Sequence, residues 1–242
     1  MRPACFFAWI YLDSMPWLSH SRSRVTALIA ASALGGAALL GLARWPDIEF
    51  ELGYAYEAGN FHGWTPGFTQ DYRSAARWLN RAAAANHPRA QYRLGMLHAH
   101  GWGVPKDDKR AGEWLTRSAH NGYAPACYHL GWMYHKGDGA PRDDAHAITL
   151  LEQAAAQGMA AAHLALGKFH ERGEGAPADT VQALKRYALA VHFAQSQPER
   201  FDNAAFAARA SSTLDALTAQ TAPVKVEQGR ALAREWLAKQ TD

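Results

Sequence analysis

The stretch GWGVPKDDKRAGEWLTRSAHNG, residues 101–122, returns with small changes as GDGAPRDDAHAITLLEQAAAQG at residues 137–158. Sliding the chain along itself by 36 residues superposes Leu94, Leu130 and Leu166, each followed by a glycine (Gly95, Gly131, Gly167). The punctuation recurs in the same register: Gly101, Gly137 and Gly173; Gly103, Gly139 and Gly175; Pro105, Pro141 and Pro177; Asp107, Asp143 and Asp179; Ala111, Ala147 and Ala183. A unit this short cannot bury its own apolar face, so a fixed period of about 20 to 50 residues marks a stack of repeats.

Each unit reads as two helices. PRAQYRLGMLHAHG carries apolar residues at helical period and stops at Gly101, because a Gly-x-Gly-x-Pro turn cannot continue a helix. The recurring aspartate is placed to accept hydrogen bonds from the free amides that open the second helix. Gly122 and Gly158, with Asn86 one period earlier, close that helix in a left-handed cap. Small residues such as Gly95 and Ala111 let the two helices approach. A degenerate unit comes first, with Leu52, Gly53, Tyr56, Gly59, Asp71, Ala75 and Trp78 in the same roles. Its turn is longer, since Gly59 to Asp71 spans twelve positions where Gly101 to Asp107 spans six.

After Val191 the period is lost. ERFDNAAFAARASSTLDALTAQ and VKVEQGRALAREWLAKQ predict two further helices joined around Pro223, with Leu232, Trp236 and Leu237 on one stripe, which cover the open end of the array. The expectation is an all-α chain: a right-handed α/α solenoid of about four 36-residue helix-turn-helix repeats, with units at 46–87, 88–123, 124–159 and 160–195 and a helical C-terminal cap at 196–242. One N-terminal hydrophobic helix precedes it.

That helix is the uncharged run of nineteen residues from Val25 to Ala43, between Arg24 and Arg44. It is long enough to cross about 30 Å of hydrocarbon. Arg22 and Arg24 ahead of it keep the N-terminus inside and send the remainder across the membrane. The run reads as a transmembrane signal anchor, as a signal-peptide core cleaved after Ala43, or as a buried soluble helix. Gly41 and Ala43 suit a signal peptidase, whereas the run exceeds the roughly 7 to 15 residues usual in a signal peptide. Residues 1–24 are a cytoplasmic or mis-called leader, in which residues 1–14 show no clear pattern and Met15 offers an alternative start. The repeats are therefore expected outside the cytoplasmic membrane, anchored to it or, if cleaved, free in the periplasm of a Gram-negative cell.

Charge and composition exclude several classes. The net charge is only +3, and Lys and Arg are not clustered, so no nucleic-acid footprint is expected. Cys5 and Cys127 form no CxxC pair, which leaves neither a disulfide framework nor a thiolate zinc site within one chain. Cys127 shares its position with Gln91 and His163 and is expected to be partly exposed. His98 and His100 lie two apart on one helix, point to different faces and cannot chelate one ion. The pairs Asp107–Asp108 and Asp143–Asp144 recur at helix starts and read as caps rather than as acid-base couples. GxSxG, HExxH and P-loop patterns are absent, so no catalytic residue, metal ligand or cofactor is assigned.

The unit A-x-x-x-L-G-x-x-[YH]-x-x-G-x-G-x-x-x-D-x-x-x-A, from residue 46 to about 195, resembles the Sel-one-like repeat, a relative of the tetratricopeptide repeat. His98 and His170 stand where that repeat usually has Tyr, which Tyr134 keeps, and Ala194 stands where the fourth unit would have its closing glycine. The resemblance implies a non-catalytic adaptor that assembles protein complexes, in bacteria often in the cell envelope. If Leu94, Gly95 and His98 face the packed side, then Tyr92, Met96 and His100 face away from it. Tyr128, Trp132 and Lys136 continue that stripe, followed by Leu164, Lys168 and Arg172. By resemblance to tetratricopeptide arrays the stripe lines the concave groove.

Rings beside cations suit an extended peptide with acidic groups. The alternative is a sugar chain stacked on Trp132 and the tyrosines, which would make the chain an envelope polysaccharide-binding protein. Against both, some of these rings could pack between units. The insertion NFHGWTPGFTQ is a second candidate surface, with Phe61, Trp64 and Phe68 either presented to a partner or folded back over the end of the solenoid.

Overall fold

The computed structural model describes residues 45–59 and 70–240. The expected membrane helix at 25–43 and the insertion residues Phe61, Trp64 and Phe68 lie outside the described residues. Among those described, every element is helical: α1 (Trp45–Ala58), α2 (Tyr72–Ala84), α3 (Pro88–His100), α4 (Asp108–His120), α5 (Ala124–Lys136), α6 (Asp144–Ala156), α7 (Ala160–Arg172), α8 (Thr180–Ser196), a 3-10 turn (Arg200–Phe206), α9 (Ala207–Gln220) and α10 (Pro223–Ala238). None of these helices is long and apolar enough to cross a membrane.

Residues 45–87 and 88–240 belong to separate compact units. In the first, α1 packs on α2, with Gly53 beneath Leu79 and the Phe50 ring stacked 4.7 Å from His87. In the second, α3 pairs with α4, α5 with α6 and α7 with α8, while α4 meets α5 and α6 meets α7 between repeats.

The repeated letters repeat their bonds. Asp71, Asp107, Asp143 and Asp179 each sit in extended backbone and accept from one or two amides of the next turn, opening α2, α4, α6 and α8. The amide of each aspartate donates to the carbonyl of Tyr56, His98, Tyr134 or His170 at 2.8 to 3.0 Å. The longer first turn therefore rejoins at the same place as the others. Ala75, Ala111, Ala147 and Ala183 are fully buried. Above Gly53, Gly95, Gly131 and Gly167 of α1, α3, α5 and α7 lie Leu79, Leu115, Leu151 and Tyr187, so the glycine of one helix is the seat for a large residue of its partner.

Two glycines act between repeats. A Cβ on Gly139 would lie 2.5 Å from the Asp108 carbonyl oxygen, and one on Gly175 would lie 2.9 Å from Asp144 Cβ. Each turn therefore rests on the helix start of the repeat before it. Around the second contact, Asp144 accepts from Arg142 at 2.7 Å and pairs with His135 Nδ1 at 2.7 Å. Arg186 reaches back to Glu152 at 2.8 Å.

The C-terminal segment departs from expectation in one respect. Residues 199–206 were expected to begin a helix running through Gln220, but Arg200–Phe206 form a 3-10 turn in which Phe201 and Asp202 have φ of 54° and 55°. The cause is Asn203, which is fully buried. Its Oδ1 accepts from the Ala160 amide at 2.9 Å, and its Nδ2 lies 3.0 to 3.3 Å from the carbonyls of Gly158, Phe193 and Gln197. In the preceding repeat, Gln157 donates to the corresponding carbonyl, that of Gly122, at 3.0 Å. With Ala194 in place of a closing glycine, α8 runs on to Ser196, and Asn203 takes over that task. Beyond the turn, α10 packs on α8, with Gly229 against Leu184, and Trp236 and Leu237 cover Ala160, Phe193 and Ala194.

Candidate protein-binding surface

Helical spacing puts Tyr92, Met96 and His100 on one face of α3, Tyr128, Trp132 and Lys136 on that of α5, and Leu164, Lys168 and Arg172 on that of α7. Tyr92, Met96, Tyr128, Trp132 and Lys168 are half-buried; His100, Lys136 and Arg172 are exposed. The rings form a run across repeats. Tyr92 meets Tyr123 at 5.3 Å and His129 at 5.5 Å between centroids; His129 meets Tyr128 at 5.3 Å, and Tyr128 meets Trp132 at 6.3 Å. Trp132 then reaches Phe169 of the next repeat at 6.0 Å. These rings hold repeats together and still present an edge outward.

Polar groups border the run. His100 stacks on the exposed Trp102 at 4.4 Å. Arg172 pairs with Glu174 at 3.5 Å, whereas Lys136 and Lys168 have no ion pair among the described residues. Burial, helped by the nearby His100, pulls the His129 imidazole down to about 4, so it is neutral at pH 7. Burial also raises the Tyr128 phenol. The stripe is thus uncharged along its middle and cationic at its C-terminal edge.

Leu164 does not continue the open stripe. It is 4% exposed and belongs to a cluster with Ala210 of α9, against which Phe206, Leu214 and Leu217 pack. Phe201 and Phe206 also pack on the buried cluster that Tyr128 and Trp132 touch. The chain's own C-terminal segment therefore covers the end of the stripe. The spacing of Phe206, Ala210, Leu214 and Leu217 in the cap was the available signal.

Cys127 corrects another expectation. It is 1% exposed, and Gln91 and His163 at the matching positions are 0% exposed. These side chains point at the end of the paired helix: Gln91 accepts from Asn121 at 2.9 Å, and Cys127 lies 3.7 Å from Gln153 Oε1. Burial raises the Cys127 thiol, which keeps it protonated and unreactive. His98 is buried, as its place in the repeat predicted, with Nδ1 3.4 Å from the Pro105 carbonyl. No cluster of metal-ligating side chains occurs among the described residues.

Residues 46–87, 88–123, 124–159 and 160–191 each match the Sel1 repeat. A Sel1 repeat protein from Oxalobacter formigenes is similar in structure, with a TM-score of 0.59 and 26% identity over 77% of this chain and 82% of that one. A protective antigen present in uropathogenic Escherichia coli strains, displaying an SLR fold, superposes with a TM-score of 0.60 at 22% identity, over 96% of this chain and 52% of that one. That second likeness bears on the fold alone. No curated protein matches the chain. Sel1 repeat proteins are generally protein-interaction scaffolds and typically not enzymes. With four matching units spanning more than half its length, the chain belongs to the Sel1 repeat family.

Proposed function

We propose that this chain is a non-catalytic scaffold of the cell envelope that holds another protein on the stripe formed by α3, α5 and α7. The observation that carries the reading is the run of half-exposed rings from Tyr92 to Trp132, uncharged at neutral pH and edged by Lys136 and Lys168, which have no ion pair among the described residues. Rings of this kind offer large contact area at low entropic cost, and cations at the rim steer an acidic partner. Three rings already meet Trp132, an arrangement suited to gripping apolar side chains rather than stacking a sugar. The envelope assignment rests on the uncharged run at 25–43 behind Arg22 and Arg24. The aromatic insertion with Phe61, Trp64 and Phe68 is a second contact in this reading.

The test is co-purification of full-length protein from native membranes. Lys136→Glu with Lys168→Glu reverses the rim without touching the core and should weaken recovery of the partner about tenfold or more, whereas Lys109→Glu on α4 should not. Equal recovery from all three proteins would remove the stripe from the account.

A further inference from the structure

Helix α9 lies where a partner would. Leu164, Ala210, Phe206, Leu214 and Leu217 share one apolar cluster, and Arg209 stands close enough to Tyr128 to act on its hydroxyl. The inward residues follow helical spacing, with a small Ala210 at the close approach. This is the helix-in-groove mode of recognition, carried out by the chain on itself.

The hold is loose. Ala210 is the only residue of α9 that is fully covered, whereas α10 buries Val226, Gly229 and Ala233. The N-terminal end of α9 has no side-chain cap, although Thr221 closes the other end by donating its hydroxyl to the Leu217 carbonyl at 2.7 Å, and Ser211, Ser212, Thr213 and Asp215 in its middle are weak helix formers. The Thr218 hydroxyl is buried without a hydrogen-bond partner among the described residues, a mismatch in the seat itself. The flanking anchors are firmer. Asn203 pins the entry, and the exit turns through extended Thr221 and Ala222 into Pro223 at the start of α10.

We propose that the partner presents an amphipathic helix with the pattern of α9, large–small–large–large at spacings of four, four and three, and that this helix binds the stripe by displacing α9 from Leu164. The proposal rests on the stripe being the partner surface, and it sets the partner's form as a helix rather than an extended peptide. A binder that must first expel α9 loses apparent affinity in proportion to the fraction of chains whose seat is open.

The probe is a labelled synthetic peptide of residues 204–220, with a scrambled peptide as control, titrated against the full chain. Leu214→Asp with Leu217→Asp in the chain should vacate the seat, and the peptide should bind that variant about tenfold or more tightly than wild type. Adding Leu164→Asp should abolish binding, and the scrambled peptide should not bind. A folded Leu214→Asp/Leu217→Asp chain that ignores the peptide, or that takes the scrambled one equally, would overturn the proposal. Should that variant not fold, hydrogen exchange on wild type decides: amides of α9 should exchange at least about tenfold faster than those of α8 and α10, and equal protection sinks the idea. Partner recovery that depends on Lys136 and Lys168 without peptide binding would leave the scaffold reading intact and reject the helix. Peptide binding without such recovery would keep the exchangeable seat and reject the protein partner.

Discussion

Gly112 and Gly167 are both helical glycines, and they call for opposite outcomes. A Cβ on Gly167 would fall 2.3 Å from Tyr187 Cε1, and that ring cannot retreat, being fully buried with its hydroxyl 2.6 Å from Glu171. Gly167→Ala should therefore cost about 2 to 3 kcal/mol through overpacking. At Gly112 the nearest atom is Met133 Cε at 3.7 Å, ordinary contact, so Gly112→Ala should stabilise by about 0.5 to 1 kcal/mol from helix propensity alone. Urea melts of the two variants check both signs. His163 carries the clearest pH dependence. It is fully buried, stacked 5.3 Å from Phe193 and edge-on to Trp236, and the one polar group that favours its charged form is the Ala155 backbone, too poorly placed for a well-formed hydrogen bond to either ring nitrogen. Burial first, then the charge of Arg186, pulls its pKa from 6.5 down to about 3, with Lys185 and His192 pushing the same way. A group depressed in the folded state gives stability that is complete above the unfolded pKa and declines as pH falls below it. Its share of the loss between pH 7 and pH 5 is about 2 kcal/mol. His163→Phe should flatten the acid limb of the stability profile by that amount; a profile unchanged from wild type would contradict the assignment.

At the scale of the element, the second-helix starts were readable because each is written in a single local motif. Asp143→Ala, which removes a cap bond to His146, should cost about 1 kcal/mol in thermal melts. The burial of Cys127 was not readable, since it depends on where Gln153 lands across the helix pair, and a single helix face does not encode that. The end of the fourth repeat was readable in part. Ala194 in place of glycine signalled that α8 would not stop on schedule, but nothing local to ERFDNAAF announces that Asn203 binds carbonyls up to 45 residues away. Asn203→Ala strips the Ala160 amide and the Gly158 carbonyl of their partner, while the Phe193 and Gln197 carbonyls keep the Gln197 and Arg200 amides, and it should destabilise by about 2 to 4 kcal/mol. Faster hydrogen exchange at residues 160–162 and through α9 is the accompanying signature. If Asn203→Ala melts as wild type does, the turn is held by Phe201 and Phe206 instead.

For the whole molecule, the repeat period gave the stacked architecture, because such units bury their apolar faces by stacking, and the helical spacing of apolar residues within each unit made it all-helical. The stripe was legible as a set of positions on α3, α5 and α7, but its extent was not. Which rings are shared between repeats depends on packing, as with Trp132 against Phe169, and the loss of Leu164 beneath α9 depends on a cap whose placement the repeat does not predict. The consequence is a surface divided between an open aromatic part and a part filled by the chain's own helix. The most direct test places a photoreactive residue at position 132 in full-length protein within native membranes, with position 109 on α4 as control. The account predicts a protein adduct formed from 132 and not from 109. No adduct from either position, or the same adduct from both, would contradict it.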